Sequence, residues 1–269
     1  MRIETITPHG FCGGVKRAVE MAYDISGREN GRVYCLHEIV HNEAVVNDLT
    51  SKGMFFVESI SDVPDGAVVM VSAHGAPKSV FEEAEKRKLK VADATCPFVS
   101  SQHAKIQDNF KKGLRTVVIG DPAHIEVAGY LGEEGACLPE EVLPGEKTQT
   151  VVQTTLDANE HHGVCTATGE RQNAVRKFIE GKISTGIKRN EVGVLVIGSP
   201  KSSNTAKLSS VAENEGAASW RIDDASGLPG IDFSGIKTLG VTSGASTPEK
   251  VFESVLAALE RLHQNVRED

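Results

Sequence analysis

The feature that most constrains this chain is an alternation that runs from end to end: a short apolar run, a polar or Gly-containing turn, then a segment of helical period. Residues 3–6, 32–36, 67–73, 89–94, 115–120, 148–154, 191–197 and 237–242 read as strands. Residues 15–25, 43–52, 78–88, 99–112, 125–131, 170–180, 204–214 and 249–263 read as helices. A strand that feeds a helix and then another strand forces parallel pairing through crossovers, so the pattern predicts an α/β fold. The tail, 261–269, is polar and is expected to fray into solvent.

Composition excludes several classes. Lys plus Arg is 29 and Asp plus Glu is 37, a net charge of −8, which leaves nothing to neutralise nucleic-acid phosphates in bulk. Aromatics are 5% of 269 residues with a single Trp220, too few for base-stacking platforms. No apolar run approaches the roughly 18 residues of a membrane span. The start, Met1-Arg2-Ile3-Glu4-Thr5, leads directly into a strand with no signal or transit pattern, so a soluble, cytoplasmic protein is expected. Five cysteines, an odd number without a CxxC pair, argue against a disulfide framework, a zinc ribbon or a thioredoxin-like site. A P-loop and a GxGxxG turn are both absent from the sequence.

In open α/β sheets, ligands gather beyond the carboxyl ends of strands, where helices begin. Those turns hold chemistry-bearing residues here. Cys12, Cys96 and Cys165 lie in GFCGGV, DATCPF and GVCTAT. Spacing alone leaves two readings open: three thiols packed in tight turns, or three thiolates holding a [4Fe–4S] cluster with one iron free for substrate. Cys35, within a strand, and Cys137, beside Leu138-Pro139, read as packing residues. His41, His74 and His124 each follow a strand, and three imidazoles at equivalent places suggest a site that collects negative charge. The turns GSPKSSN (from Gly198) and GASTPE (from Gly244) supply hydroxyls that serve as helix caps, a role compatible with binding an anion at the same N–H groups. His37-Glu38-Ile39-Val40-His41 matches the H-E-x-x-H zinc-protease motif, but it follows a strand directly and does not read as mid-helix.

Taken together, GFCGGVKRAV, EIVHNEAVVNDL, VSAHGAP, DATCPFV, HIEVAGYLG, QTTL, CTATGERQ, SSNTAKL and GVTSGASTPE occur in order from residue 10 to about residue 250. In this the chain resembles the 4-hydroxy-3-methylbut-2-enyl diphosphate reductases, which close the methylerythritol phosphate route to isoprenoids. The resemblance implies a trefoil of three α/β units, with short, mostly parallel sheets, around a central [4Fe–4S] cluster. The units would be 13–95, 96–164 and 165–269 with 1–12. It implies Cys12, Cys96 and Cys165 as cluster ligands. It implies His41, His74, His124, Ser202, Ser203, Asn204 and Ser246 around the diphosphate of an allylic substrate, with Thr154 contacting the substrate as well. Glu126 would be the proton donor, with Thr154 in its hydrogen-bond network. A ferredoxin or flavodoxin would supply electrons, and no nucleic acid or membrane would be involved. The products would be isopentenyl and dimethylallyl diphosphate.

Three departures stand out. His124-Ile125-Glu126 replaces the usual His-Pro-Glu, and Pro8-His9-Gly10 replaces Pro-Arg-Gly. The connection between Thr154 and Cys165 is much shorter than in the family and lacks a helix, which is expected to open the pocket or bare a sheet face. His161 and His162 lie in it and read as solvated loop residues, with new ligands or substrate contacts as the alternative. The short connection keeps a paralogous cluster enzyme with another substrate as the alternative. A non-catalytic cluster sensor is the third reading, weakened by Glu126 and the complete His and Ser set.

Overall fold

The computed structural model describes residues 1–28 and 32–268, with side chains as far as 262. In chain order its first elements are β1 (Arg2–Thr5), α1 (Gly13–Arg28), β2 (Val33–Leu36), α2 (Glu43–Ser51), β3 (Met54–Val57), β4 (Val68–Val71) and α3 (Lys78–Lys86). There follow β5 (Lys90–Asp93), α4 (Pro97–Lys111), β6 (Arg115–Ile119), α5 (Ile125–Leu131), β7 (Ala136–Cys137) and β8 (Thr148–Val152). The last are α6 (Thr166–Ser184), β9 (Val192–Ile197), α7 (Ser203–Asn214), β10 (Ala218–Ile222), β11 (Thr238–Ser243) and α8 (Glu249–Glu268). The expected α/β alternation is present, and each strand pairing among the described residues is parallel.

The chain divides into two compact units, Gly13–Thr154, and Met1–Cys12 with Thr155–Asp269. The first holds two sheets, ordered β3-β2-β4-β5 and β7-β6-β8. Val99, Ile106, Val118, Val127, Tyr130 and Val151 pack α4 and α5 onto the second of these sheets. The other unit holds one sheet, ordered β1-β11-β9-β10. Its central strand β9 is buried at all six positions, and the strand period of two sends its side chains to two cores. Val192, Val194 and Val196 meet Val175, Ile179 and Leu208. Leu195 and Ile197 meet Leu239, Val241, Phe252, Val255 and Leu259.

Three strands were not foreseen: β3, β7 and β10. All lie at sheet edges, where one-sided pairing relaxes the need for an apolar run. β10 reads Ala-Ser-Trp-Arg-Ile, and β7 is only two residues long. Helix α6 starts at Thr166 rather than 170, capped by Cys165, because the turn continues straight into the packed face of Val175 and Ile179. Helix α8 continues to Glu268, so the tail expected to fray is helical to that point; Asp269 lies outside the described residues.

Among the described residues no helix lies between β8 and α6. The edge strand β8 that precedes the connection exposes Gln149 and Thr150, which are polar and suit water. The short connection is tied instead to α6. Asp157 receives two bonds from Arg176 Nη2 at 2.7 and 2.8 Å. Gln172 accepts from Ala158 N–H and donates to Leu156 O, both at 2.8 Å. His161 donates its backbone N–H to Asp157 O, while His162 is exposed. Burial alone would raise the Asp157 carboxyl, but the Asn159 N–H and Arg176 hold it below its ordinary value. Removing one partner of a buried pair strands the other charge. Arg176→Ala is therefore expected to cost about 3 kcal/mol in urea unfolding near pH 7. The penalty should shrink as acid protonates Asp157, because a depressed carboxyl contributes only above its titration. An effect within ~0.5 kcal/mol would show that the pair does not hold the connection.

Candidate functional site

In the unit Gly13–Thr154, the turns after β2 and β4 and the start of α5 bring three imidazoles together. Ring centroids are 4.9 Å apart for His41 and His74, 6.1 Å for His41 and His124, and 6.0 Å for His74 and His124. Each Nδ1 is engaged. His124 caps α5, its Nδ1 accepting the Glu126 N–H at 3.2 Å. A neutral His124 therefore carries its hydrogen on Nε2 and presents a donor. His41 Nδ1 lies 3.2 Å from Glu38 Oε2, and His74 Nδ1 lies 3.2 Å from Ser72 Oγ. Burial, then mutual repulsion among the rings, pushes His74 well below its usual range and His124 down to about 4. Among the described residues no three His, Cys, Asp or Glu are placed to hold a metal ion. The H-E-x-x-H match is not helical: His37 has φ +61° and pairs with Glu58.

Glu126 lies in the first turn of α5 and is 3% exposed. Its Oε1 accepts from Thr154 N–H at 2.6 Å and Tyr130 O–H at 3.1 Å, and its Oε2 accepts from Thr154 O–H at 2.8 Å. Burial raises the carboxyl, and these three bonds only partly oppose it. A carboxyl so placed can keep a proton and release it to an adjacent base.

Sequence reasoning missed a carboxylate behind this group. Glu133, buried just past α5, accepts from His103 Nδ1 at 2.8 Å, Lys78 N–H at 3.1 Å and Gln107 Nε2 at 3.1 Å. Burial would raise it, but His103 and the other donors hold it below its ordinary value. One oxygen pair thus ties α5 to α4 and to the start of α3, the elements adjoining His124, Cys96 and His74. Only tertiary contact reveals this, since nothing in GEEG marks Glu133 over Glu134.

Cys96 caps α4 in the same unit, with Pro97 at the first helical position. Arg17 of α1 donates to Thr95 O beside it. A Cβ on Gly14 would stand 2.7 Å from Cys96 Sγ, so only glycine leaves the sulfur its room. In the other unit, Cys165 caps α6: its Sγ takes the Thr168 N–H at 3.4 Å and donates to Thr168 Oγ1 at 3.1 Å. Asn204 Nδ2 joins Thr168 Oγ1 at 3.2 Å. Ser202 caps α7, and Ser246 O–H reaches Ser202 Oγ at 3.4 Å. Ser203 opens α7 and is half-buried. Cys12 donates its N–H to Ala245 O at 3.2 Å, which sets it beside the turn that carries Ser246. Cys12, Cys96 and Cys165 are half-exposed, whereas Cys35 and Cys137 are buried, and burial pushes the Cys35 thiol up to about 12. The predicted residues therefore gather as two sets, one in each unit.

A family model described as LytB protein matches residues 3–164 and 148–260. The two matches overlap where the connection is short. A 4-hydroxy-3-methylbut-2-enyl diphosphate reductase of Haemophilus influenzae (strain PittEE) is 36% identical over 304 positions, covering 100% of this chain and 93% of that protein. The structure of the E-1-hydroxy-2-methyl-but-2-enyl-4-diphosphate reductase from Plasmodium falciparum is similar at TM-score 0.83 and 29% identity, covering 95% of this chain and 87% of that one. The structure of an (E)-4-hydroxy-3-methyl-but-2-enyl diphosphate reductase, titled the terminal enzyme of the non-mevalonate pathway, is similar at TM-score 0.66 and 30% identity, covering 97% and 100%. No helix among the described residues is long and apolar enough to cross a membrane.

Proposed function

We propose a function from one premise: this chain belongs to the LytB family. It is a reductase of 4-hydroxy-3-methylbut-2-enyl diphosphate. Two electrons and two protons replace the allylic C–O bond by C–H and release the hydroxyl as water, giving isopentenyl and dimethylallyl diphosphate. The observation that carries this reading is the buried Glu126 carboxyl, clamped by Thr154, in the same unit as the three-ring cluster.

Three half-exposed thiols at turn ends, one of them packed against a glycine where a Cβ would collide with the sulfur, form a donor set suited to a thiolate-held cofactor. Cys12, Cys96 and Cys165 would hold a [4Fe–4S] cluster, which when bound would supply electrons and Lewis acidity toward the 4-hydroxyl. The chain's own groups do the rest. His41, His74 and His124, with Ser202, Ser203, Asn204 and Ser246, take the diphosphate oxygens as hydrogen-bond donors. Hydroxide is a poor leaving group, so protonated Glu126 gives it a proton while Thr154 holds the carboxyl in place and contacts the substrate. A ferredoxin or flavodoxin supplies electrons, and the reaction runs in the cytoplasm.

The histidines make this testable without turnover. The lowered values of His74 and His124 mean that the folded chain binds fewer protons than the unfolded one between about pH 6.5 and pH 4. Stability should fall as pH drops through that window, and inorganic diphosphate, which favours the protonated rings, should restore melting temperature more at pH 5.5 than at pH 8. Equal protection at both values would remove the rings from the anion site.

The direct test is an anaerobic assay of cluster-reconstituted protein, following oxidation of reduced viologen on adding the diphosphate substrate. Rapid, substrate-dependent oxidation is expected. An intact cluster without oxidation would overturn the substrate assignment and direct attention to residues 155–164.

A further inference from the structure

The other unit contains a buried charge that the reaction as described does not use. Arg171, in the second turn of α6, is 3% exposed. Its guanidinium donates to Gly10 O at 2.8 Å and Ala167 O at 3.1 Å, and its Nε has no partner. Among the described residues no carboxylate forms an ion pair with it. Arg176, five residues on, shows the ordinary arrangement, seated on Asp157. Two neutral carbonyls do not replace the water that a buried guanidinium gives up, so the site demands an anion.

The positions of the two carbonyls say which anion. Gly10 lies two residues before Cys12, and Ala167 two residues after Cys165. Arg171 thus bridges the two thiol-bearing segments of this unit. Burial lowers its proton affinity, and the sulfurs of Cys12 and Cys165 are the leading groups that oppose the loss of charge.

We infer that Arg171 is the fixed counter-charge of the Cys12 and Cys165 thiolates and of the negative charge that their cofactor gains on reduction. The inference rests on the assignment of those thiolates as cluster ligands. A cation held by backbone carbonyls cannot relax away between redox states, so it favours the reduced form through charge rather than by contact with substrate.

The test compares anaerobically reconstituted wild type, Arg171→Lys and Arg171→Gln by iron content and midpoint potential. Arg171→Lys should keep full iron and a potential near that of wild type. Arg171→Gln should move the potential negative: at the wild-type midpoint its reduced-to-oxidised ratio should fall by about tenfold or more. Equal potentials in wild type and Arg171→Gln would overturn the inference. So would a shift in Arg171→Lys as large as in Arg171→Gln, which would make shape rather than charge the cause. Arg171→Gln protein that fails to fold before iron is added would overturn it too, since a counter-charge is needed only once the thiolates are charged. Wild-type protein that takes up no iron would sink the cluster assignment and this inference with it; loaded wild type with an unresponsive Arg171 would sink the inference alone.

Discussion

Glu126→Gln is expected to lower turnover by about 10²–10⁴-fold, while iron content and the visible spectrum of the reconstituted protein should stay at wild-type level. Glutamine matches the shape of the carboxyl, and Thr154 O–H can turn to accept where it now donates at 2.8 Å. What glutamine lacks is a transferable proton. The loss should therefore fall on turnover rather than on substrate KM. In the wild type the acid must be protonated, so turnover should decline as pH rises through the burial-raised titration of Glu126. That alkaline limb should vanish in the variant's residual rate. Unchanged turnover, with the substrate shown to bind, would end the assignment of Glu126 as proton donor.

The second large effect concerns sulfur. Cys96→Ala should bring iron down to background and take activity with it, because the proposed set of three thiolates has no ligand to spare. Cys35→Ala and Cys137→Ala should load normally, since both thiols are sealed in their cores. Iron analysis and visible absorption of the three variants decide it. A loaded Cys96→Ala protein would overturn the ligand assignment. Equal iron loss in Cys35→Ala would mean that half-exposure at a helix cap is the wrong criterion for choosing ligands.

Much of this site could be read from residues in a row. His124 and Glu126 share one turn of sequence, and the cap that joins them, His124 Nδ1 to Glu126 N–H, is a local event. Cys96 and Cys165 head helices because strand-end turns lead into them. Other parts had no local signal. Tyr130 looks like any aromatic on a helix face, yet its hydroxyl reaches Glu126. Nothing in the local sequence singles out Glu133 or Arg171, and both are buried. The short connection is tied to α6 by Asp157, Gln172 and Arg176, whose pairing depends on a turn folding back onto that helix. The match to a zinc-protease motif is set aside in the sequence because it follows a strand directly, and the non-helical backbone at His37 agrees.

By itself the sequence determined the α/β alternation, the family, and which turns bear Cys, His and Ser, because periodicity and turn chemistry are local properties carried by neighbouring residues. Only the tertiary structure decided the edge strands, the burial of Glu126, and the partners of Glu133, Asp157 and Arg171. Desolvation and pairing of charge depend on residues distant in the chain, and no local pattern encodes which carboxylate or guanidinium will lose its water.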